Sequence, residues 1–283
     1  MVHAIKEKEN STVQVALRIK PLTADDLVNL PSRFQRNVLS TTEFASNQVI
    51  VHGEKKQTWT FDKVFGPESS QKDIYEQTVK NMVDKFLEGF NVTILAYGQT
   101  SSGKTYTMGT LNEYSQLPET KGIIPRSMAT LFSYVNSTQF KSRKFVIKVS
   151  FVEIYNEDLI DLLAEGDYES RPPVTIREDS KGNMIWSGLQ EIKVNSIEEV
   201  MRHLMRGSMN RQVGATEMNS QSSRSHAIFS VALSQQKFVT DFRTKKNEEE
   251  GDWITVTSKF HFVDLAGSER VSRYVHYFSS YLA

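Results

Sequence analysis

The sequence predicts an α/β fold organised around one phosphate-binding loop, and three observations predict it. The short apolar, β-branched run from Val92 ends at Tyr97, and Gly98-Gln-Thr-Ser-Ser-Gly103-Lys104-Thr105 follows at once, the pattern of a strand feeding a glycine-rich loop and then a helix. Segments with strand-like alternation and segments with helical spacing interleave along the rest of the chain. At 283 residues, with 39% hydrophobic and 24% charged, the chain can bury a substantial core, as one large α/β domain or two small ones.

Thr12–Arg18 alternates like a strand and runs into Arg18-Ile-Lys-Pro21, where the proline stops sheet pairing. Val49–Val51 and Thr58–Phe61 bracket the polar stretch 52–57 and read as a hairpin. Ser70, with Asp73 three residues on, opens a helix whose Tyr75, Val79, Met82, Val83 and Phe86 recur at helical spacing until Gly89 closes it. The phosphate-loop strand is expected to be buried, and the helix from Lys104 to resume after the polar stretch 112–122, with Pro125 at its first position.

Phe145–Tyr155 alternates over a long run and reads as a strand of the main sheet. Val174–Arg177 and Met184–Trp186 flank a Lys-Gly-Asn turn. Ser196-x-x-Glu199 is a capping box for a helix with Ile197, Val200, Met201, Leu204 and Met205 inward, expected to end at Gly207. His203 on that helix reads as solvated. A strand at 226–233, a solvated charge run at 245–252 and a strand at 254–263 complete the series.

Composition narrows the function classes. Lys plus Arg equals Asp plus Glu at 34 each, so no overall field favours nucleic acid or an anionic membrane. The chain has no cysteine, which removes disulfides, thiolate catalysis and cysteine zinc sites, and no His-Glu-x-x-His pattern joins its six histidines. The first ten residues lack a signal-peptide core and no run reaches the length of a membrane span, so the chain reads as soluble and intracellular.

The loop residues fit a nucleotide. Gly98 and Gly103 permit turns closed to other residue types and let backbone amides approach phosphate oxygens. Lys104 can meet the β- and γ-phosphates, Thr105 can give its hydroxyl to Mg²⁺, and the next helix points its positive end at the anion. Asp264, closing an apolar strand, sits where a second carboxylate on the Mg²⁺ side is needed, and Gly267 can bring an amide to the γ-phosphate. The hydroxyl run 219–226 around Arg224 reads either as a polar connection or as further ligation of that ion.

Together Gly98–Thr105, Asn219–His226 and Asp264-Leu-Ala-Gly-Ser-Glu269 resemble the phosphate loop, switch I and switch II of kinesin motor domains, in order and at similar separations. Ala96-Tyr-Gly-Gln99, the 148–163 segment and Ile176-Arg-Glu-Asp179 are also similar to that family, nearest its chromosome-associated branch. The resemblance implies a P-loop NTPase fold, a three-layer α/β/α sandwich with a mixed, mostly parallel sheet, that binds ATP with Mg²⁺ and works on microtubules of the cytoplasmic cytoskeleton.

It implies that Gln99, Thr100, Ser101 and Ser102 join the loop glycines at the nucleotide, and that Arg18, Pro21 and Tyr106 pack its base. Lys20 departs from the family's Arg-x-Arg-Pro. Asn219 and Ser222 would line the γ-phosphate, and Thr105, Ser223 and Asp264 would serve the metal. Arg224 would pair with Glu269, while Ser223, the Gly267 amide and Glu269 would act on the attacking water. A GTP-binding switch protein would need a guanine-reading Asn-Lys-x-Asp pattern, which is absent.

The domain reading is an extension at 1–10, a partial motor domain at 11–270 and a divergent tail at 271–283. After Arg270 the family continues with a switch II helix, a further strand and a neck linker, so the resemblance also admits a non-motile nucleotide binder or decoy. An uncovered face of a mostly parallel sheet favours unfolding or association. The 283-residue chain is therefore expected to be poorly stable as a monomer, and a cooperative, reversible melt of monomeric material contradicts this.

Overall fold

A computed structural model describes residues 13–22, 28, 38–42, 46–110, 118–137, 143–166, 171, 173–180, 182, 184–217, 221–240 and 251–269. The expected tail at 271–283, most of the charge run at 245–252 and the N-terminal extension lie outside them. The chain divides into two compact units, Met1–Ser70 and Gln71–Ala283.

In the first unit β1 (Ala16–Arg18) pairs in parallel with β5 (Lys63–Phe65). It is shorter than the alternation from Thr12 suggested. β2 (Leu39–Thr41), β3 (Gln48–Val51) and β4 (Gln57–Thr60) form an antiparallel sheet, with the expected hairpin between β3 and β4. Ile19, Val49 and Phe65 are its buried apolar side chains.

The second unit opens with α1 (Gln71–Ile74), a π-helical segment at Tyr75–Val79 and α2 (Lys80–Glu88), which continue one another. Gly89 closes α2 in the left-handed region at φ 115°, as expected of a glycine after the last turn. β6 (Val92–Ala96) follows, then α3 (Lys104–Met108) and α4 (Ile123–Val135). Pro125 is the third residue of α4 and not the first, which costs nothing because the first four helical N–H groups have no intrahelical acceptor.

The central sheet runs β11-β7-β12-β13-β6, with β8 (Asp158–Asp161) added to β7. Its long members are β7 (Lys144–Tyr155), β12 (His226–Thr240) and β13 (Gly251–Asp264), and β11 (Ile192–Val194) lies at one end. β9 (Thr175–Glu178) and β10 (Met184–Ser187) make a separate hairpin, turning through Gly182.

The sheet is mixed, as expected, but among the described ladders only β13 with β6 is parallel, not most of them. β12 and β13 are consecutive strands that pair over fourteen residues, and positions 241–250 between them are fewer than the dozen or so that a parallel crossover needs. β6 is also less buried than a central strand. Leu95 is 60% exposed and Tyr97 77%, because only one edge and one face of β6 are covered among the described residues.

One face of the sheet carries Ile147, Val149, Phe151, Phe229, Val231, Leu233, Phe260 and Phe262, all buried. The register sets Phe151, Phe229 and Phe262 side by side across three strands, with the Phe151 and Phe229 rings edge-on at 5.4 Å. α2 reaches the same face: its Phe86 carbonyl accepts from the Ser258 hydroxyl at 2.8 Å and its Leu87 carbonyl from Gln235 at 2.7 Å.

α5 (Ile197–Glu217) starts at the expected capping box, with Glu199 N–H donating to the Ser196 hydroxyl and Asn195 N–H to the Glu199 carboxylate. It does not stop at Gly207. There the missing side chain serves packing: a Cβ would run into the Phe151 ring, so the glycine lets the helix lie close on the sheet. Val200 and Leu204 face inward as expected, whereas Met205 is 42% exposed. Alanine is favoured over glycine inside a helix by about 1 kcal/mol, while overpacking a core costs about 1–3 kcal/mol. Gly207→Ala is thus expected to lower the urea midpoint, and an unchanged or raised midpoint would contradict the close approach.

Candidate active site

The site stands where β6 and β13 end together. Asp264 is the register partner of Ala96, and past the sheet the two chains stay in step, with Leu265 N–H donating to the Ala96 carbonyl at 3.2 Å and Ser268 N–H to the Gly98 carbonyl at 3.1 Å. The glycine-rich loop and the segment after Asp264 therefore leave the sheet side by side. Gly98 (φ 156°) and Gly103 (φ 96°) hold positive φ, and Ser101 is a non-glycine residue at φ 62°. At Gly98 a Cβ would also stand 2.6 Å from the Ser102 hydroxyl.

Lys104 folds back over this loop, its Nζ donating to the Gly98 carbonyl at 2.9 Å and the Gln99 carbonyl at 3.0 Å. α3 spans only five residues before Gly109 turns left-handed. The helix expected from Lys104 is thus short before the interruption, and the loop amides and the ammonium, more than a helix dipole, define the anion-facing end. Tyr106 lies in α3, and its backbone carbonyl accepts from Gln71 at 2.7 Å.

A cavity of about 230 Å³ opens beneath the loop, walled by Thr100, Ser101, Lys104, Thr105, Ser223 and Asp264. Its floor is the aromatic row Phe151, Phe229 and Phe262, with Met108 and Ile124 from α3 and α4. An apolar floor screens charges placed against it less than bulk water does.

Asp264 is 5% exposed. Its Oδ2 accepts from the Thr105 hydroxyl at 2.7 Å and from Arg211 Nη1 at 3.1 Å, while Oδ1 is buried without a hydrogen-bond partner. A carboxylate oxygen left open beside a threonine hydroxyl suits Mg²⁺, which takes oxygen donors and uses one or two carboxylates together with substrate phosphate. Among the described residues no cluster of three His, Asp or Glu forms a protein-only metal cage.

Three residues of this site carry no sequence motif. Ala227 on β12 is register partner to both Glu153 and Asp264, so two carboxylates flank one methyl group on the same face. Arg211 of α5 occupies that space. It meets Asp264 at 3.1 Å and Glu153 at 3.7 Å, and donates to the Ser225 hydroxyl at 3.3 Å and the Ser225 carbonyl at 2.9 Å. Burial pushes the Glu153 carboxyl up, against the opposing pull of Ser225 and Arg211. An acidic residue in the inward register of β7 is the one signal that could have exposed this network.

The remaining predicted residues distribute as follows. Ser223 ends the cavity wall within α6 (Gln221–Arg224), and its carbonyl accepts the Gly267 N–H at 2.8 Å. Arg224 is exposed next to it, while Glu269 is held by Thr100, through the Thr100 N–H at 2.8 Å and the Thr100 hydroxyl. The Thr100 hydroxyl pulls the Glu269 carboxyl below the usual range. No Arg224–Glu269 ion pair forms among the described contacts. Asn219 lies outside the described residues, and of Ser222 only the backbone is described. Arg18 and Pro21 belong to the first unit, where Arg18 Nη2 donates to the Ser69 carbonyl at 3.5 Å.

The family described as "Kinesin motor domain" matches residues 18–277. The chain is similar to Kinesin-like protein KIF27 of Mus musculus, 40% identical over 94% of this chain and 18% of the relative. It is also similar to Kinesin-like protein KIN-5A of Arabidopsis thaliana, 39% identical over 94% of this chain and 25% of the relative. It thus spans a quarter or less of these curated relatives, and neither name describes a chromosome-associated kinesin. A solved structure described as "Structure of a fast kinesin: Implications for ATPase mechanism and interactions with microtubules" superposes with a TM-score of 0.76 at 32% identity, covering 92% of this chain and 67% of that one.

The raised Glu153 value sets a pH dependence. Its folded-state pKa lies above the unfolded value, so its contribution to stability is full below the ordinary glutamate range and is lost as pH rises through the raised value. Urea melts across that window should show Glu153→Gln with a flatter fall in stability than the parent chain, and identical slopes would mean the carboxyl titrates normally.

Proposed function

The chain belongs to the kinesin motor-domain family, and we propose that its cavity binds ATP with Mg²⁺ and hydrolyses the β–γ bond in the service of microtubule-based movement. The observation that carries this reading is the convergence of three separated segments on one cavity: Thr105 bonds Asp264 at 2.7 Å, and the Ser223 carbonyl bonds the Gly267 amide at 2.8 Å. Lys104 stands on the same wall.

Lys104 would neutralise the β- and γ-phosphates, and the loop amides would hold them in line for attack. Thr105, Ser223 and Asp264 are the residues that would hold Mg²⁺, which when bound supplies charge neutralisation on the phosphate oxygens. Ser223 and the Gly267 amide would orient the attacking water. Glu269 would accept its proton through a second water, and Arg224 would pair with Glu269 as the pocket closes. Asn219 and Ser222 would face the γ-phosphate, and Arg18, Pro21 and Tyr106 the base. No covalent intermediate is required; positioning and charge stabilisation supply the rate.

Microtubules are the partner this family reading names, and the cytoplasmic cytoskeleton its setting. No helix among the described residues is long and apolar enough to cross a membrane.

Two substitutions test the assignment on the 283-residue chain. Glu269→Ala should keep ATP binding and lose turnover by about 10²-fold or more, the usual worth of general acid–base catalysis. Lys104→Ala should weaken binding of a fluorescent ATP analogue. Near-normal hydrolysis in the first, or unchanged affinity in the second, refutes the corresponding role.

A further inference from the structure

Thr100 lines the cavity and Glu269 does not. Both oxygens of the Glu269 carboxylate are instead engaged by Thr100, Oε2 by its N–H at 2.8 Å and Oε1 by its hydroxyl. These bonds also make the carboxylate a poorer base, since a hydrogen bond to the charged form holds the Glu269 value down.

The surrounding backbone is fitted to this arrangement. Ser268 N–H is tied to the Gly98 carbonyl at 3.1 Å and Gly267 N–H to the Ser223 carbonyl at 2.8 Å, which fixes the segment leading into Glu269. A Cβ on Gly267 would lie 2.6 Å from the Thr100 hydroxyl and would also strike the Glu269 carboxylate. Glycine at 267 is therefore what allows Thr100 and Glu269 to meet. Arg224, the other charged group intended for Glu269, stands exposed one residue from the Ser223 carbonyl that anchors Gly267.

We infer that Thr100 is a positioning residue that latches Glu269 in a withdrawn resting place, and that opening this latch toward Arg224 and the attacking water precedes hydrolysis. The inference rests on the ATPase reading of this site. The latch holds the proton acceptor off the substrate in the resting chain and so keeps its turnover low.

The test is single-turnover hydrolysis of Mg-ATP, with ATP affinity measured in parallel, on the full chain. Thr100→Val keeps the shape and deletes the hydroxyl. At saturating Mg-ATP it should speed the hydrolysis step about fivefold, within the net worth of a typical hydrogen bond. Thr100→Ser retains the hydroxyl and should cancel most of that gain. In a Glu269→Gln background Thr100→Val should bring no acceleration, because the carboxylate to be released is gone.

An unchanged or slower hydrolysis step in Thr100→Val at saturating Mg-ATP overturns the latch and leaves the ATPase reading standing. Acceleration that persists in the Glu269→Gln background also overturns it, since the effect then bypasses Glu269. A parent chain with no Mg-ATP turnover sensitive to Lys104→Ala overturns the ATPase reading and the latch together.

Discussion

The geometry of the site depends on one buried cation. Arg211 reaches from α5 to the sheet and lies between Glu153 on β7 and Asp264 on β13, over the methyl group of Ala227. Glu153 is fully buried and Asp264 nearly so, and burying a charged group costs free energy unless it is paired. The guanidinium offsets both, and removing one member of such a group costs about 3–5 kcal/mol. Asp264 is thereby oriented, and it passes that orientation to the phosphate loop through the Thr105 hydroxyl. The two bonds from Arg211 to Ser225 extend the same constraint to the hydroxyl-rich segment. One side chain thus aligns three loops distant in sequence.

A rigid scaffold is what allows the loops themselves to be irregular. Positive φ at Gly98, Ser101 and Gly103 and a five-residue α3 would be poorly determined alone. Steric cost at a non-glycine positive φ persists only where the surroundings over-determine it. Here the loop is fixed from below by Asp264, from the side by Ser268 N–H on the Gly98 carbonyl, and from within by Lys104 on two loop carbonyls. The Phe151, Phe229 and Phe262 row then floors the cavity with side chains that do not compete for its polar groups.

The parts of this arrangement legible in the sequence are those written in local patterns. The strand into Gly98–Thr105, the capping box at Ser196 and Glu199, the β3–β4 and β9–β10 hairpins and Asp264 at a strand end were all readable from a few adjacent residues. What was not readable was partner choice across the sheet. Arg211 sits beyond Gly207, and a glycine after a helical run looks like a stop signal until Phe151 is seen packed against it. Glu153 looks like one polar position in an alternating strand until the register sets it level with Asp264. Strand direction was missed for the same reason, because the β12–β13 connection shows itself only once their fourteen-residue pairing is known.

That correction bears on how the second face of the sheet is tolerated. A mostly parallel sheet needs both faces covered, whereas an antiparallel one accepts water on one side if its residues alternate accordingly. On β7, β12 and β13 the face opposite the phenylalanine row carries Lys148, Ser150, Ser230, Ala232, Ser234, Lys259 and His261 beside the apolar Val146, Val152, Ile228 and Val263. Ser230 is hydrogen-bonded to His261 at 2.8 Å, and Lys148 is ion-paired with Glu191 at 3.1 Å. Small, hydroxylic and charged side chains in that register are the composition of a half-solvated face, and the β9–β10 hairpin approaches it through Ile185 and Trp186. Apolar exposure on the central sheet is found at the edge strand β6, in Leu95 with Tyr97 just beyond it, and in Val146, Trp253 and Ile254 at the end of the sheet away from Asp264. Any instability of the isolated chain therefore has its physical source at that edge and at that end of the long strands.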